Sequence, residues 1–574
     1  MFRDVYRPAS QRRCWILLGA FGLVLLGVGI GLRDPWPADE PRFALIAKEM
    51  LATGQFLIPH RGGELYPDKP PVFIWLSALA IWLTGSVRLG FLWPSLLASL
   101  ATLGLVCDLV RRLYGTRIAL MTGASLLATV QFVMQAKAAQ IDMVLTFFTT
   151  LGAYGLLRHA LLGPSRLWWL LGWGAVGLGI ITKGVGFLPL LFLPAWFWLA
   201  ARGRVPRLAL QDLALGLLVM TGTLALWGIP MLAAASLSGD PALASYRDNI
   251  LLRQTGERYA ASWHHLNPWY YYLVEVIPWA WMPLVLALPW AIPAWWRRMR
   301  RGDARVTLPL TGVLLTLIFF SLSPGKRGVY ILPTIPLLAV ALAPLLPGLL
   351  KKRGLQWAGG GVLAAAGSAL LVLGLLGLAG IDSLENAVRR YGLDPWPLCT
   401  ALGLAAIVLL IRMRVDRGMF ALVLWLPALW TAWSTWGYYH LDRLRSPNHL
   451  MERVADITGS GAWLAMPSAQ EEFLLQARQP SVHFGRDTLG PAQLSRAFDW
   501  FAKAPNERWM LIEQKRKDEI GCADMGAARD LGYQNGDDWW LIPGSAFTAC
   551  KGSVDAAPLF IAPTTTGSAL IGRG

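Results

Sequence analysis

RDPWPADEPRFALIAKEMLATGQFLIPHRGGELYPDKPP, residues 33–71, is a polar stretch set between apolar ones. An apolar run, Trp15–Leu32, precedes it, and a long series of such runs follows. The stretch holds adjacent carboxylates, Asp39 and Glu40, a nearby Arg42, and a Tyr66-Pro67-Asp68-Lys69-Pro70-Pro71 turn. Charges this dense beside a membrane require water, partners or a substrate. Within it, Phe43, Ile46, Ala47, Met50 and Leu51 recur at helical spacing, so Pro41–Thr53 is expected to be a helix lying on the membrane surface. Asp39 and Glu40 sit at its N-terminal end, where the helix dipole favours acidic residues.

The chain around this loop is 55% hydrophobic and 15% charged over 574 residues, with a mean hydropathy of +0.45. A soluble chain carries about 25% charged residues. Apolar runs of about 20 residues recur, the length a helix needs to cross the hydrocarbon core. The fold class is therefore a polytopic α-helical membrane protein. The net charge of +17 is not a nucleic-acid footprint, which would gather on one soluble face. It sits in short clusters at the ends of apolar runs: Arg12/Arg13, Arg111/Arg112/Arg117, Arg202/Arg204/Arg207, Arg297/Arg298/Arg300/Arg301, Lys351/Lys352/Arg353 and Arg412/Arg414/Arg417. Such clusters mark cytoplasmic loops. Arg12-Arg13 before an apolar run also fits a twin-arginine export signal, but no small-x-small cleavage site follows Leu32, so a retained first span is expected.

Val72–Gly85 is apolar but short for a span. If it crossed, the Arg111/Arg112/Arg117 loop would land outside; lying in the interface, it leaves that cluster and every later one inside. It is read as a second surface helix. The remaining spans then alternate at about 89–110, 117–134, 142–162, 167–182, 184–201, 208–236, 273–297, 306–323, 328–349, 355–380, 396–411 and 418–436. With the first, this makes about 13 transmembrane helices, a cytoplasmic N-terminus and an external C-terminus. Residues 1–438 form the membrane domain, with 33–88 as its first external loop. Residues 439–562 have ordinary soluble composition; AWLAMPS, RWMLIEQ and DWWLIPG suggest a small α/β domain. Residues 563–574 have little to bury and are expected to be disordered. No internal repeat is visible. Cys522 and Cys550 in the tail can pair if it faces an oxidising compartment; no cysteine spacing suits zinc. The many tryptophans flank spans and read as interfacial anchors.

This topology puts Asp39, Glu40, Arg42, Asp68, Lys69, Asp142, Lys183, Arg247, His264, His265, Lys326 and Tyr330 on the external side, as expected of one site serving lipid-anchored substrates. Five segments carry a family resemblance, in this order: Asp39-Glu40-x-Arg42, Tyr66-x-Asp68-Lys69-Pro70-Pro71, Ala139-Gln140-Ile141-Asp142-Met143, Thr182-Lys183-Gly184, and Ser323-Pro324-Gly325-Lys326 ahead of Tyr330-Ile331-Leu332-Pro333. The chain resembles the polyprenyl-phosphate-dependent membrane glycosyltransferases of family 39, which have the C-type glycosyltransferase fold. It is most similar to the bacterial 4-amino-4-deoxy-L-arabinose transferases of lipid A and more distantly to the protein O-mannosyltransferases. The resemblance covers about residues 10–350; beyond them only the layout matches.

The resemblance implies an inverting transfer, at the periplasmic face of a bacterial inner membrane, of 4-amino-4-deoxy-L-arabinose from undecaprenyl phosphate to lipid A. It makes Asp39 catalytic and places Asp142 in the site. Asp39 would take a proton from a hydroxyl acceptor or, with a phosphate acceptor, steer it or stabilise positive charge at the sugar carbon; capping the surface helix is the structural alternative. Arg42 and Lys69 suit a departing lipid phosphate, whose growing negative charge fixed cations stabilise. Lys183 and Lys326 are further phosphate candidates, or snorkel to headgroups. Tyr330 would bond a phosphate or join the aromatic belt. Glu40 and Tyr66 are secondary candidates, and Asp142 would otherwise be a helix cap. No cofactor is required; the resemblance hints at a divalent metal, for which Asp68, His264 and His265 are the candidates, although their spacing is no known zinc pattern. Two rival functions are transfer of a polyprenyl-linked hexose to protein or another glycan, and transport of lipid or solute. Transporters show repeats and midplane charges, neither of which is apparent.

Overall fold

The computed structural model describes residues 8–257, 265–459, 461–468, 470–486, 490–552 and 559–562. The expectation of disorder at 563–574 falls outside them. The chain divides into two compact units. The first comprises Met1–Gly29, Ser95–Gly239 and Leu243–Trp436; the second comprises Ile30–Pro94, Asp240–Ala242 and Gly437–Gly574.

The first unit is helical. Over the described chain, six helices are long and apolar enough to cross a membrane: Val87–Tyr114, Leu210–Leu237, Ala304–Leu322, Arg353–Leu378, Trp396–Met413 and Gly418–Thr458. Two bent pairs bring this to eight if each is one span. The runs expected at 142–162 and 167–182 are helices Ile141–Leu161 and Arg166–Lys183. They form a tight antiparallel hairpin because small residues meet at its seam: a Cβ on Gly155 would strike the Trp168 carbonyl and lie 2.8 Å from Cα of Gly172. Close backbone approach of this kind is how helices associate in lipid.

Two expected spans are not continuous. The run at 117–134 bends by 70° between Thr116–Ala128 and Val130–Ala136, and the run at 273–297 bends by 109° between Tyr272–Ala280 and Leu284–Arg300. Thr129 is extended (φ −72°, ψ 120°), and Pro283 has no N–H to continue a helix. The breaks satisfy one another: the Val130 N–H donates to the Met282 carbonyl at 2.9 Å. Irregular backbone at membrane depth persists only where such partners exist. Hydropathy registers the apolar side chains of these runs and is blind to the breaks.

The second unit joins the polar stretch to the C-terminal segment from Gly437. Strands β1 (His60–Arg61) and β2 (Glu64–Leu65) form a small antiparallel hairpin. Strands β3 (Trp463–Ala465), β4 (Ser481–His483), β5 (Arg508–Glu513), β6 (Arg529–Gln534), β7 (Asp537–Pro543) and β8 (Phe560–Ala562) form one mixed sheet. Its order is β6-β7-β5-β3-β4-β8, with β5, β3 and β4 parallel. The three segments read as mixed in the sequence are β3, β5 and β7. Phe484, Trp500, Phe501, Met510 and Ile542 centre the core against helix Gly490–Ala502. Cys522 and Cys550 form a disulfide.

Helix Glu40–Thr53, found where the apolar spacing placed it, belongs to this unit. Residues Phe43 to Met50 are buried without interruption, polar Lys48 and Glu49 included, because helix Glu471–Gln476 packs on it. Helix Val72–Thr84 is separate and short, ending at a left-handed Gly85. Leu76, Leu79, Trp82 and Leu83 remain exposed along one of its faces.

Candidate active site

The expected site residues fall into two groups, one in each unit. In the second unit the group begins at Arg33, buried and stacked within about 5 Å of the rings of Trp36, Phe91 and Tyr438. Its guanidinium grips Glu40 through both arms, one at 2.8 Å. The Trp36 N–H also donates to Glu40, at 2.9 Å. Arg33 and the Trp36 N–H thus hold Glu40 at the start of the helix. Asp39 occupies the cap position, yet its side chain makes no capping hydrogen bond. It turns instead to Arg42, one turn along, with Oδ1 at 3.5 Å from the guanidinium. The two neighbouring carboxylates thus have different partners, Arg33 for Glu40 and Arg42 for Asp39.

Arg42 has a second partner that no motif announced. Its Nε donates to Glu471 Oε1 at 2.9 Å. Arg61, at 3.6 Å, and Arg486 converge on the same buried oxygen. The buried Tyr66 lies beneath this cluster, with the Arg61 guanidinium 5.3 Å from its ring centroid. Burial raises its phenol above the ordinary range, and Asp68 adds to that effect. Lys69 donates to the Asp68 carbonyl at 2.9 Å; both side chains are half-buried.

The Tyr66–Lys69 segment follows a hairpin that the unit clasps at its turn. Gly62 and Gly63 have φ of 65° and 85°. Their N–H groups donate to the Glu49 carboxyl at 2.6 and 3.2 Å. His483 Nε2 donates to the Gly62 carbonyl at 2.7 Å. A Cβ at Gly62 would lie 2.7 Å from that imidazole, so glycine is required for space as well as for φ. Burial pushes the Glu49 carboxyl up to about 7 against the pull of the two N–H groups. It pushes the His483 imidazole down to about 4.

In the first unit, Asp142 lies in the first turn of helix Ile141–Leu161, and Lys183 ends helix Arg166–Lys183. The antiparallel hairpin brings these two ends together. They form an ion pair with side chains 7% and 8% exposed. The Lys183 ammonium also lies 4.5 Å from the ring centroid of Tyr330, a cation–π distance. Tyr330 sits in the turn Gly328–Ile331, which Gln131 holds by donating to the Gly328 carbonyl at 2.8 Å. Three expected residues are therefore assembled here.

Lys326 is engaged otherwise. Its ammonium donates to the carbonyls of Ser323 at 2.5 Å and Asn267 at 2.8 Å, and its N–H to the His265 carbonyl at 2.9 Å. Those bonds tie the 323–327 loop to 265–267. Arg247 pairs with Asp248 at 2.8 Å on the surface. His265 is exposed, and His264 lies outside the described residues. Among those described, no three His, Cys, Asp or Glu side chains cluster to hold a metal, so the suggested Asp68, His264 and His265 set gains no support here. Glu471, Arg61, Arg486 and Gln131 went unnoticed in the sequence, where nothing marks them.

The sequence profile of the dolichyl-phosphate-mannose-protein mannosyltransferase family matches residues 68–229. The undecaprenyl phosphate-alpha-4-amino-4-deoxy-L-arabinose arabinosyl transferase of Pseudomonas aeruginosa is 31% identical over 408 residues, 69% of each chain. The crystal structure of ArnT from Cupriavidus metallidurans bound to undecaprenyl phosphate superposes with a TM-score of 0.72 at 20% identity, covering 94% of this chain and 99% of the other. The Archaeoglobus fulgidus oligosaccharyltransferase shares the fold more loosely, with a TM-score of 0.50 at 11% identity over 89% of this chain and 70% of its own.

Proposed function

Because this chain belongs to the family of the undecaprenyl phosphate-alpha-4-amino-4-deoxy-L-arabinose arabinosyl transferases, we propose that it is a membrane glycosyltransferase moving that sugar from undecaprenyl phosphate to lipid A. The observation that carries the reading is the division of labour at residues 39 and 40. Glu40 is consumed by Arg33, while Asp39 is held beside Arg42 without capping the helix.

In this reaction the bond between the sugar's anomeric carbon and the lipid phosphate breaks as an acceptor phosphate oxygen attacks the opposite face, inverting the centre. The acceptor is already an anion, so Asp39 acts by steering it and by stabilising positive charge at the sugar carbon. Arg42 and Lys69 are the cations for the departing lipid phosphate. Lys183, neutralised by Asp142 and backed by Tyr330, is a further anion-binding group. Tyr66 packs beneath Arg42 and Arg61.

The site faces the periplasm in this reading, with about 13 spans and the segment from residue 439 outside. The disulfide Cys522–Cys550 supports an oxidising compartment for that segment, and the basic clusters support a cytoplasmic side for the loops opposite. The test is transfer from synthetic undecaprenyl phosphate aminoarabinose to lipid A by the purified protein and its Asp39→Asn variant. Wild-type transfer with loss in the variant is expected; equal activity would remove Asp39 from the reaction. The mannosyltransferase profile over 68–229 favours a second reading, hexose transfer to protein. An unmodified lipid A mass spectrum in cells expressing the protein would reject the first reading.

A further inference from the structure

The group around Asp39 contains a carboxylate whose position in the fold is not incidental. Glu471 and Arg486 follow β3 and β4, adjacent parallel strands paired through Leu464–Ser481 and Ala465–Val482. Both follow the carboxyl ends of the parallel strands of this mixed sheet, where α/β folds present functional groups. Helix Glu40–Thr53 lies against helix Glu471–Gln476 there, so a side chain 429 residues away in sequence reaches Arg42.

One planar guanidinium connects two carboxylates here. Arg42 gives Nε to Glu471 at 2.9 Å and Nη1 to Asp39 at 3.5 Å. An arginine side chain has about 2 kcal/mol of rotamer entropy to lose on being fixed, and its rigid fork keeps its donors in one plane. Glu471 supplies the fixed end and Asp39 meets the other edge. Glu471 is also outnumbered: Arg42, Arg61 and Arg486 all converge on it.

From this geometry we propose that Glu471 is a positioning residue for sugar transfer, fixing Arg42 and through it the Asp39 carboxylate. The C-terminal segment then completes the site instead of merely accompanying it. The inference rests on the reading of Asp39 given above. In this proposal Glu471 acts through Arg42 and not on the substrate, so its removal is expected to leave donor binding largely intact and to misplace the reacting groups. A misplacement of about 1 Å costs on the order of 10²-fold in rate.

The experiment measures kcat and donor KM for full-length protein in lipid nanodiscs, with undecaprenyl phosphate aminoarabinose as donor and lipid A as acceptor. Rates are normalised to monodisperse protein retaining the Cys522–Cys550 bond. Glu471→Gln is expected to lower kcat about 10²-fold with KM changed less than about 3-fold. Glu471→Asp, which keeps the charge but falls short of Arg42, is expected between that variant and wild type. If Glu471→Gln does not fold, the double variant Glu471→Gln/Arg486→Gln removes one cation with the carboxylate and is expected to fold with the same kcat deficit. A folded variant lacking the Glu471 carboxylate that keeps kcat within about 3-fold of wild type, or whose whole loss lies in KM, overturns the proposal. A wild type that transfers no sugar from this donor removes the functional reading and the inference with it, a result distinguishable from the others because it needs no variant.

Discussion

The two groups of charged residues differ in how the chain builds them. In the first unit, Asp142 and Lys183 sit at facing ends of one helical hairpin, and a turn supplies Tyr330. In the second, Glu471 draws partners from helix Glu40–Thr53, from β1 and from the segment after β4. The first kind is local and apolar-walled, and its charges are conspicuous. The second depends on distant pairing and is hidden among ordinary polar residues. The same contrast recurs between neighbours: Asp39 and Glu40 are indistinguishable in sequence but differ in partner. Replacing them should separate catalysis from folding most sharply. Asp39→Asn is expected to lower kcat about 10³-fold, within the range lost with an electrostatic or proton-transfer group, and to leave the unfolding temperature near wild type. Glu40→Ala leaves Arg33 buried without its anion and is expected to cost about 3–5 kcal/mol of stability. Parallel transfer assays and thermal unfolding in detergent check both; equal stability of the two variants would erase the distinction.

The local group can be broken in the same manner. Lys183→Ala strands the buried Asp142 carboxylate and should destabilise by about 3–5 kcal/mol, whereas Lys183→Met with Asp142→Leu should be close to neutral for folding, since apolar replacements of buried pairs are tolerated. Thermal unfolding of both proteins tests this. If the double replacement folds well but transfers no sugar, the pair is kept for function. If it is as unstable as the single one, the pair is needed to hold the hairpin.

This difference also explains what was legible. A charge inside an apolar run is an anomaly that demands a reason, so Asp142, Lys183 and Lys326 could be singled out, although only the carbonyls around Lys326 reveal its tethering role. The polytopic helical class followed from run length alone. The bends at Thr129 and Pro283 did not, because hydropathy carries no dihedral information. Helix Glu40–Thr53 was expected from its apolar spacing, but its burial was not, since Lys48 and Glu49 look solvent-facing until Leu475 and the Gly62-Gly63 turn meet them. Glu471 had no signal: it follows an ordinary strand, and Arg42, the partner that gives it meaning, is 429 positions away.

The disulfide gives the distant-built unit a covalent tie that the hairpin group lacks. Closing a loop between Cys522 and Cys550, 28 residues apart, is worth about 3–4 kcal/mol in the chain-entropy account. Reducing agent should therefore lower the unfolding midpoint of the second unit and leave the first unchanged, which separate tryptophan reporters in Trp539 and Trp169 would resolve. A single transition moving as one would show that the units unfold together.

The smallest expected effect concerns the buried clasp on the β1–β2 turn. Glu49 has its carboxyl raised from 4.5 to about 7 by burial, so the folded chain binds its proton more readily than the unfolded one. Its contribution is full below about pH 4.5 and lost as pH rises through about 7. His483, lowered from 6.5 to about 4, acts in the opposite sense: its contribution is present above about 6.5 and lost as pH falls through about 4. Over the shared window the two largely cancel, and wild-type stability should be nearly flat. Glu49→Gln removes one side of the balance. The unfolding temperature of that variant, measured against wild type between pH 8 and pH 5, should fall behind by a few degrees toward the acid end. His483→Gln should show the mirror trend, gaining on wild type as pH drops. Parallel curves for all three proteins would mean that neither group titrates in the folded clasp, and that the turn is held by geometry alone.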